Sequence, residues 1–109
     1  MFVILCNAPV HEAKRLAFTL VEEGLAACDN LFPAVTSIYV WEGAVQEEQE
    51  STLLIKTSAE AVDALGERIR ALHSYDTVEI LALPVDAAHS DPRYVSWVHS
   101  AVKTGRADA

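Results

Sequence analysis

The segment TSIYVWEGAVQEEQESTLLIK, residues 36–56, decides the fold because it contains two strand patterns joined by a turn. Its first part, Thr36 to Trp41, is rich in β-branched and aromatic residues, and Glu42-Gly43 follows as a turn. Its second part, Val45 to Lys56, is acidic at the start and apolar at the end. We therefore predict a long β-hairpin whose acidic half extends past the core of the protein.

Before the hairpin, the sequence predicts a strand, a helix and a second short strand. Phe2 to Cys6 is a continuous apolar run, typical of a central strand. His11 to Glu23 carries apolar residues at helical spacing, and Gly24 follows in the position of a helix C-cap. Leu25 to Phe32 is predicted as a strand that Pro33 ends.

After the hairpin, the sequence predicts a helix, a strand and a last helix. Ser58 is expected to cap the first of these helices, which should stop near His73-Ser74. Thr77 to Val85 has the composition of a strand. Asp91-Pro92 has the residues that start a helix, and the polar tail at about 103–109 is expected to be flexible.

The predicted order is β-α-β-β-α-β with a C-terminal helix, the ferredoxin-like split βαβ plan of the α+β class. We expect residues 1–109 to form a single domain, because no linker or internal repeat interrupts them. Two helices would cover one face of the sheet. The hairpin, however, has large apolar groups on both faces, with Ile38 and Val40 on one and Tyr39 and Trp41 on the other. A lone chain would expose one of these sets, so we predict that subunits associate.

Charge and cysteine content narrow the choice of partners and compartment. The formal net charge is -8, from sixteen acidic and eight basic residues, which argues against nucleic acid or an anionic membrane as a partner. The apolar run at the N-terminus is too short for a signal peptide or a membrane span. Cys6 and Cys28 are expected to be free thiols in a reducing cytoplasm.

Five dispersed motifs have the order and spacing of one known family. They are Ala26-Ala27-Cys28-Asp29-Asn30, Thr36 to Gly43, Ile55-Lys56-Thr57, His73-Ser74-Tyr75-Asp76 with Glu79-Ile80, and Tyr94 to Val98. In these motifs, and from Val3 to about Val102, the chain resembles the CutA family of divalent-cation tolerance proteins. The resemblance implies a ferredoxin-like fold and a homotrimer in which long hairpin strands join the edges of neighbouring subunits, similar to the plan of PII-type signalling proteins. It also implies a response to metal ions, through binding of copper and other divalent cations.

The chain departs from the pattern of this family at three positions. Family members usually have Val where Asp29 stands, and Pro where Ser74 and Val78 stand. The loss of both prolines is expected to loosen the segment after the second helix. A carboxylate at Asp29, within a strand, needs either exposure to water or a partner.

The same resemblance implies a metal site at Cys6 and His73. Cys6 matches a cysteine proposed as a copper ligand in some members, and His73 matches a histidine of that site, whereas Leu72 stands where a second histidine would be. Thiolate and imidazole suit copper or zinc, but two ligands need water or a neighbouring subunit to complete a site. Structural roles remain open, since Cys6 fits a small core residue and His73 fits a helix C-terminus.

Two further hypotheses remain from the sequence. A signalling or assembly module would bind a small anionic ligand between subunits, with Lys56 and Tyr75 as candidate contacts. A hydrolase is a weaker hypothesis, because the sequence contains no phosphate loop, nucleophile elbow or His-Glu-x-x-His pair, and a strand-buried cysteine should have a raised pKa. We therefore do not predict an enzyme. The acidic residues Glu47, Glu48 and Glu50 are expected to form a solvated hairpin unless three copies meet.

Overall fold

The computed structural model of the protein describes residues 1–103. The elements are β1 (Phe2–Ala8), α1 (Val10–Glu22), β2 (Cys28–Trp41), β3 (Ala44–Thr57), α2 (Val62–Leu72), β4 (Ile80–Pro84), a 3-10 turn (Ala87–His89) and α3 (Pro92–Ala101). This order confirms the predicted α+β, ferredoxin-like plan. The predicted flexible tail lies outside the described residues except for Lys103, whose backbone N–H donates to the Gly24 carbonyl oxygen at 2.8 Å.

The four strands form one antiparallel sheet in the order β2-β3-β1-β4. β1 lies in the middle of the sheet, which explains why its sequence is apolar throughout. Alternate β1 residues, among them Ile4 and Cys6, are buried in a core that α1 and α2 supply with Leu20, Leu65 and Ile69. Both helices therefore cover the same face of the sheet, which we call the helix face.

The prediction that Pro33 ends a strand is wrong. Cys28–Trp41 is one continuous strand, with a register shift between Phe32 and Val35. β2 is an edge strand, so a residue without an N–H is tolerated, and the bulge absorbs it. The Ser51 hydroxyl donates to the Pro33 carbonyl oxygen at 2.7 Å and fixes this bulge.

The start of β2 also differs, since the strand begins at Cys28 and not at Leu25. The backbone N–H of Leu25 is already bonded to the Leu20 carbonyl oxygen at 3.0 Å, and that of Gly24 to the Val21 carbonyl at 3.0 Å. These two bonds close α1 in a Schellman motif, with Gly24 at φ +78°, a backbone conformation that favours glycine. The predicted glycine C-cap is therefore confirmed.

The other predicted helix starts have different outcomes. Asp91 caps α3 as predicted, and its carboxylate accepts from the backbone N–H of Arg93 at 2.8 Å. Ser58 does not cap α2, because its hydroxyl accepts from the Ala61 N–H at 3.2 Å, within a turn that precedes the helix.

β4 is shorter than the predicted Thr77 to Val85, since it pairs with β1 only from Ile80 onward. No helix within residues 1–103 is long and apolar enough to cross a membrane.

The second face of the sheet, which we call the open face, is apolar but largely uncovered. Leu81 and Leu54 lie directly opposite Leu5 on the two strands that flank β1. α3 packs Val98 and Val102 against Ala61, Ala27 and Met1. The exposed apolar side chains of the open face include Phe32, Tyr39, Trp41, Leu81 and Leu83, and the opposite face of the hairpin exposes Ile38, Val40 and Val45. The predicted apolar character of both faces is therefore confirmed.

Candidate functional site

The two residues predicted as metal ligands meet at the end of β1. The Cys6 thiol lies 3.7 Å from the Asn7 carbonyl oxygen, and His73 Nε2 lies 2.8 Å from the same oxygen. β1 brings Cys6 to this point, and the C-terminus of α2 brings His73, which is the C-cap residue of that helix. The fold thus gathers a thiol and an imidazole that are far apart in the sequence.

Hydrogen bonds fix the orientation of the His73 ring. The backbone N–H of Tyr75 donates to His73 Nδ1 at 3.1 Å. Because a backbone N–H only donates, Nδ1 must accept, and the ring proton therefore lies on Nε2, which donates to the Asn7 carbonyl. The ring is fully buried, with the Glu12 carboxylate 3.8 Å from Nδ1. A metal ion can bind this imidazole only by displacing one of these two hydrogen bonds.

Cys6 is a poor thiolate in the free protein. Its side chain has no exposed surface. Burial, together with the nearby carboxylates of Glu79, Asp29 and Glu50, raises the pKa of the Cys6 thiol to about 12. This agrees with the raised pKa that the sequence predicted. A metal ion that binds Cys6 must therefore displace a tightly held proton.

An open groove of about 730 Å³ lies between the hairpin and the segment that precedes β4. Asn7 lines it, but Cys6 and His73 do not. Four carboxylates line the groove, those of Glu48, Glu50, Asp76 and Glu79. Three aromatic side chains, Tyr39, Trp41 and Tyr75, form much of its wall. None of the lining residues is basic, so the groove favours a cationic or neutral ligand.

Two tyrosine–glutamate pairs organise the floor of this groove. The Tyr75 hydroxyl donates to Glu50 at 3.0 Å, and the Tyr39 hydroxyl donates to Glu48 at 2.7 Å. The hydrogen bond to Glu48 raises the pKa of Tyr39 to about 12. The Asn7 side-chain amide donates to both Glu50 and Glu79 at 3.4 Å and so links the groove to the end of β1.

The sequence predicted a solvated hairpin for Glu47, Glu48 and Glu50. The structure shows that this prediction is wrong for Glu50. It is only 6% exposed, whereas Glu47 and Glu48 are exposed as predicted. The alternation of β3 places Glu50 on the open face with Leu54, and its partners come from β1 and from the segment after α2. Identifying this burial required knowing that Asn7 and Tyr75 lie against β3 in the folded chain.

Lys56 does not line the groove. It lies at the opposite end of β3, where its ammonium group contacts the side-chain oxygen of Asn30 and lies 3.7 Å from the sulfur of Cys28. Tyr75 does line the groove. The two residues predicted to contact an anionic ligand thus lie apart within one chain. Within residues 1–103, no group of three or more His, Cys, Asp or Glu side chains is arranged to hold a metal ion.

Comparisons with known proteins agree on one family. The family described as CutA1 divalent ion tolerance protein matches residues 2–101. The divalent-cation tolerance protein CutA of Thermus thermophilus is 47% identical over 97 residues, which are 88% of this chain and 92% of that protein. Protein CutA of Mus musculus is 44% identical over 103 residues, or 94% of this chain, which spans only 56% of the mouse protein. Among solved structures, the PII-like protein CutA from Nostoc in apo form superimposes with a TM-score of 0.92 at 38% identity, covering 95% of this chain and 99% of that chain.

Proposed function

Because the chain belongs to the CutA1 divalent ion tolerance family, we propose that it works as a cytoplasmic homotrimer that binds divalent cations, copper first. The observation that carries this proposal is the meeting of the Cys6 thiol and the His73 imidazole at the Asn7 carbonyl. Nitrogen and sulfur ligands of this kind prefer copper and zinc to calcium or magnesium. Cys6 and His73 are the ligands in this proposal.

The acidic groove supports the proposal because its carboxylates favour cations and because Asn7 links it to the end of β1. Glu50 and Glu79 both accept from the Asn7 amide, and both raise the pKa of the Cys6 thiol. The negative charge of Glu50 and Glu79, which disfavours the Cys6 thiolate, also favours a cation bound beside Cys6. Two protein ligands leave coordination positions open, which water or a neighbouring subunit would fill.

The uncovered open face supports the trimer. Leu81 is 53% exposed and Leu83 is 43% exposed on one strand, and such contiguous apolar surface usually marks a subunit interface. The cytoplasmic location rests on the two thiols, Cys6 and Cys28, which are unpaired and so suit a reducing compartment.

We expect copper affinity to rise with pH and to depend on Cys6. The bound ion displaces the Cys6 proton, so the apparent affinity should increase by up to about tenfold per pH unit between pH 6 and 9. Titration of the trimer with copper(II), followed by the thiolate-to-copper absorption band, measures this dependence. In Cys6→Ser the band should disappear and the pH dependence should flatten.

Cys28→Ser is the matched control for this titration, because Cys28 is also a free thiol but lies beside Lys56, away from His73. It should bind copper as the wild type does. Equal affinities in Cys6→Ser and wild type, with both proteins folded by circular dichroism, would contradict the assignment of Cys6.

The alternative function is that of a PII-like signalling or assembly module that binds a small ligand, and the groove allows this alternative to be tested. Its volume and its three aromatic residues suit a small molecule, but its four carboxylates oppose an anion. We therefore expect calorimetry to detect no binding of nucleotides or small organic acids to the metal-free protein. Binding heat that is lost in Tyr75→Phe would instead favour the alternative.

A further inference from the structure

Cys28 lies in a small cluster of polar side chains on the open face, apart from Cys6 and His73. It stands on β2 directly opposite Lys56 of β3, and the Lys56 ammonium group lies 3.7 Å from the Cys28 sulfur. The same ammonium group contacts the side-chain oxygen of Asn30, which is two residues further along β2. The register of β2 and β3 therefore places a thiol and a primary amine side by side.

The chain's own α3 borders this cluster. Desolvation, together with a hydrogen bond to the Cys28 sulfur, raises the pKa of Tyr94 of α3, so the Tyr94 hydroxyl lies beside that sulfur. Val98 and Val102 hold α3 in place by packing with Ala27, the residue that precedes Cys28. This corner of the open face is therefore enclosed within one chain.

The two thiols of the protein differ in access and in neighbours. Cys6 has no exposed surface, and its sulfur contacts the Asn7 carbonyl oxygen, which is not a nucleophile. Cys28 is partly exposed and has the Lys56 ammonium group beside it. Reactive protein thiols are typically partly exposed and adjacent to a cation. Cys28 is therefore the thiol that a small oxidant can reach, with an amine positioned to react next.

We propose that Cys28 and Lys56 form a redox-controlled covalent cross-link between β2 and β3, with hydrogen peroxide as the oxidant. First, the Cys28 sulfur attacks one peroxide oxygen, the O–O bond breaks, and a sulfenic acid forms as water leaves. The Lys56 ammonium group then releases a proton, and its amine attacks the same sulfur. An S–N bond forms, the S–O bond breaks, and the hydroxyl leaves as water with an amine proton. The sulfur thus loses two electrons, and one peroxide becomes two water molecules.

The cross-link would change the cluster reversibly. It adds a covalent bond to the pairing of β2 with β3 and removes the positive charge of Lys56 from the open face. Two equivalents of a thiol reductant restore the Cys28 thiol and the Lys56 amine, and the reductant becomes a disulfide. The device goes beyond metal binding and does not depend on it, since neither residue is a ligand in that proposal.

Brief treatment of the metal-free, assembled protein with hydrogen peroxide, followed by mass spectrometry of the denatured chain, tests this proposal. In the wild type the intact mass should fall by two hydrogen atoms, and digestion should give a peptide pair joined through Cys28 and Lys56. Cys6→Ser should give the same product, which excludes a disulfide between the two cysteines. Dithiothreitol should restore the original mass in both proteins.

Lys56→Arg is the matched variant, because its guanidinium keeps the positive charge but stays protonated and so cannot attack the sulfur. Oxidation of this variant should stop at the sulfenic acid, which dimedone traps, and the cross-linked peptide pair should be absent. Lys56→Gln serves the same purpose if the arginine variant does not fold. The proposal is overturned if Cys28 in the folded wild type remains a thiol at peroxide doses that oxidise free cysteine. It is equally overturned if the wild type and Lys56→Arg give the same products without a cross-link.

Discussion

Leu81→Glu is expected to convert the proposed trimer into monomers at micromolar concentration. Leu81 is half exposed in the single chain and lies beside Leu5 on the open face. Covering the exposed half of such a leucine contributes about 1 kcal/mol per subunit, and a glutamate there would also bury an unpaired charge, which costs more. Since the loss occurs once in each of three subunits, a single substitution should abolish assembly. Sedimentation velocity measures the change directly.

Phe18→Glu is the control for this substitution. Phe18 is 67% exposed, more than Leu81 at 53%, but it lies on α1, in the helix layer on the other side of the sheet. The Phe18 variant should sediment as the wild type does. Dissociation of both variants, or of neither, would contradict the assignment of the open face as the subunit interface.

Leu53→Ala is expected to lower the free energy of unfolding by about 3 kcal/mol per chain. Leu53 is fully buried on the helix face, where it lies opposite Cys6 on one side and Leu31 on the other. Its truncation leaves a cavity in the core within one subunit, so the cost should be the same at every protein concentration. Urea unfolding at several concentrations measures both quantities.

Leu54→Ala is the matched comparison, because it removes the same atoms one residue further on. Leu54 faces the open side of the sheet and is only partly buried in the single chain. Its truncation should act mainly on association, so its cost should be largest at concentrations where the chain is assembled and should shrink on dilution as the subunits separate. Equal and concentration-independent losses in the two variants would show that the open face is not an interface.

Local patterns predicted most of the fold. The alternation of residues 36–41, the apolar run of β1 and the helical stripes each depend on neighbouring residues, so they were visible in one dimension. The effect of Pro33 was misinterpreted because a strand accepts an internal proline only at the edge of a sheet. Whether β2 is an edge strand is a property of the assembled sheet. Ser58 was misinterpreted because a turn between it and α2 uses the same hydrogen bond as a helix cap.

The site was less accessible to sequence reasoning. Residue spacing gave no reason to place Cys6 beside His73, and the pairing came from family resemblance alone. The burial of Glu50 depends on Tyr75 and Asn7, which reach it from other elements. Asp29 was recognised as anomalous from its type and its strand, but only the side-chain packing shows that its carboxylate oxygens have no hydrogen-bond partner within residues 1–103.

The mass of the particle in solution tests the central claim most directly, namely that other copies of the chain cover the open face. Light scattering of the metal-free protein at micromolar concentration should give three times the 11.9 kDa of one chain. A well-folded particle of 11.9 kDa, stable on dilution, would contradict the assembly and leave the exposed leucines of β4 without an explanation.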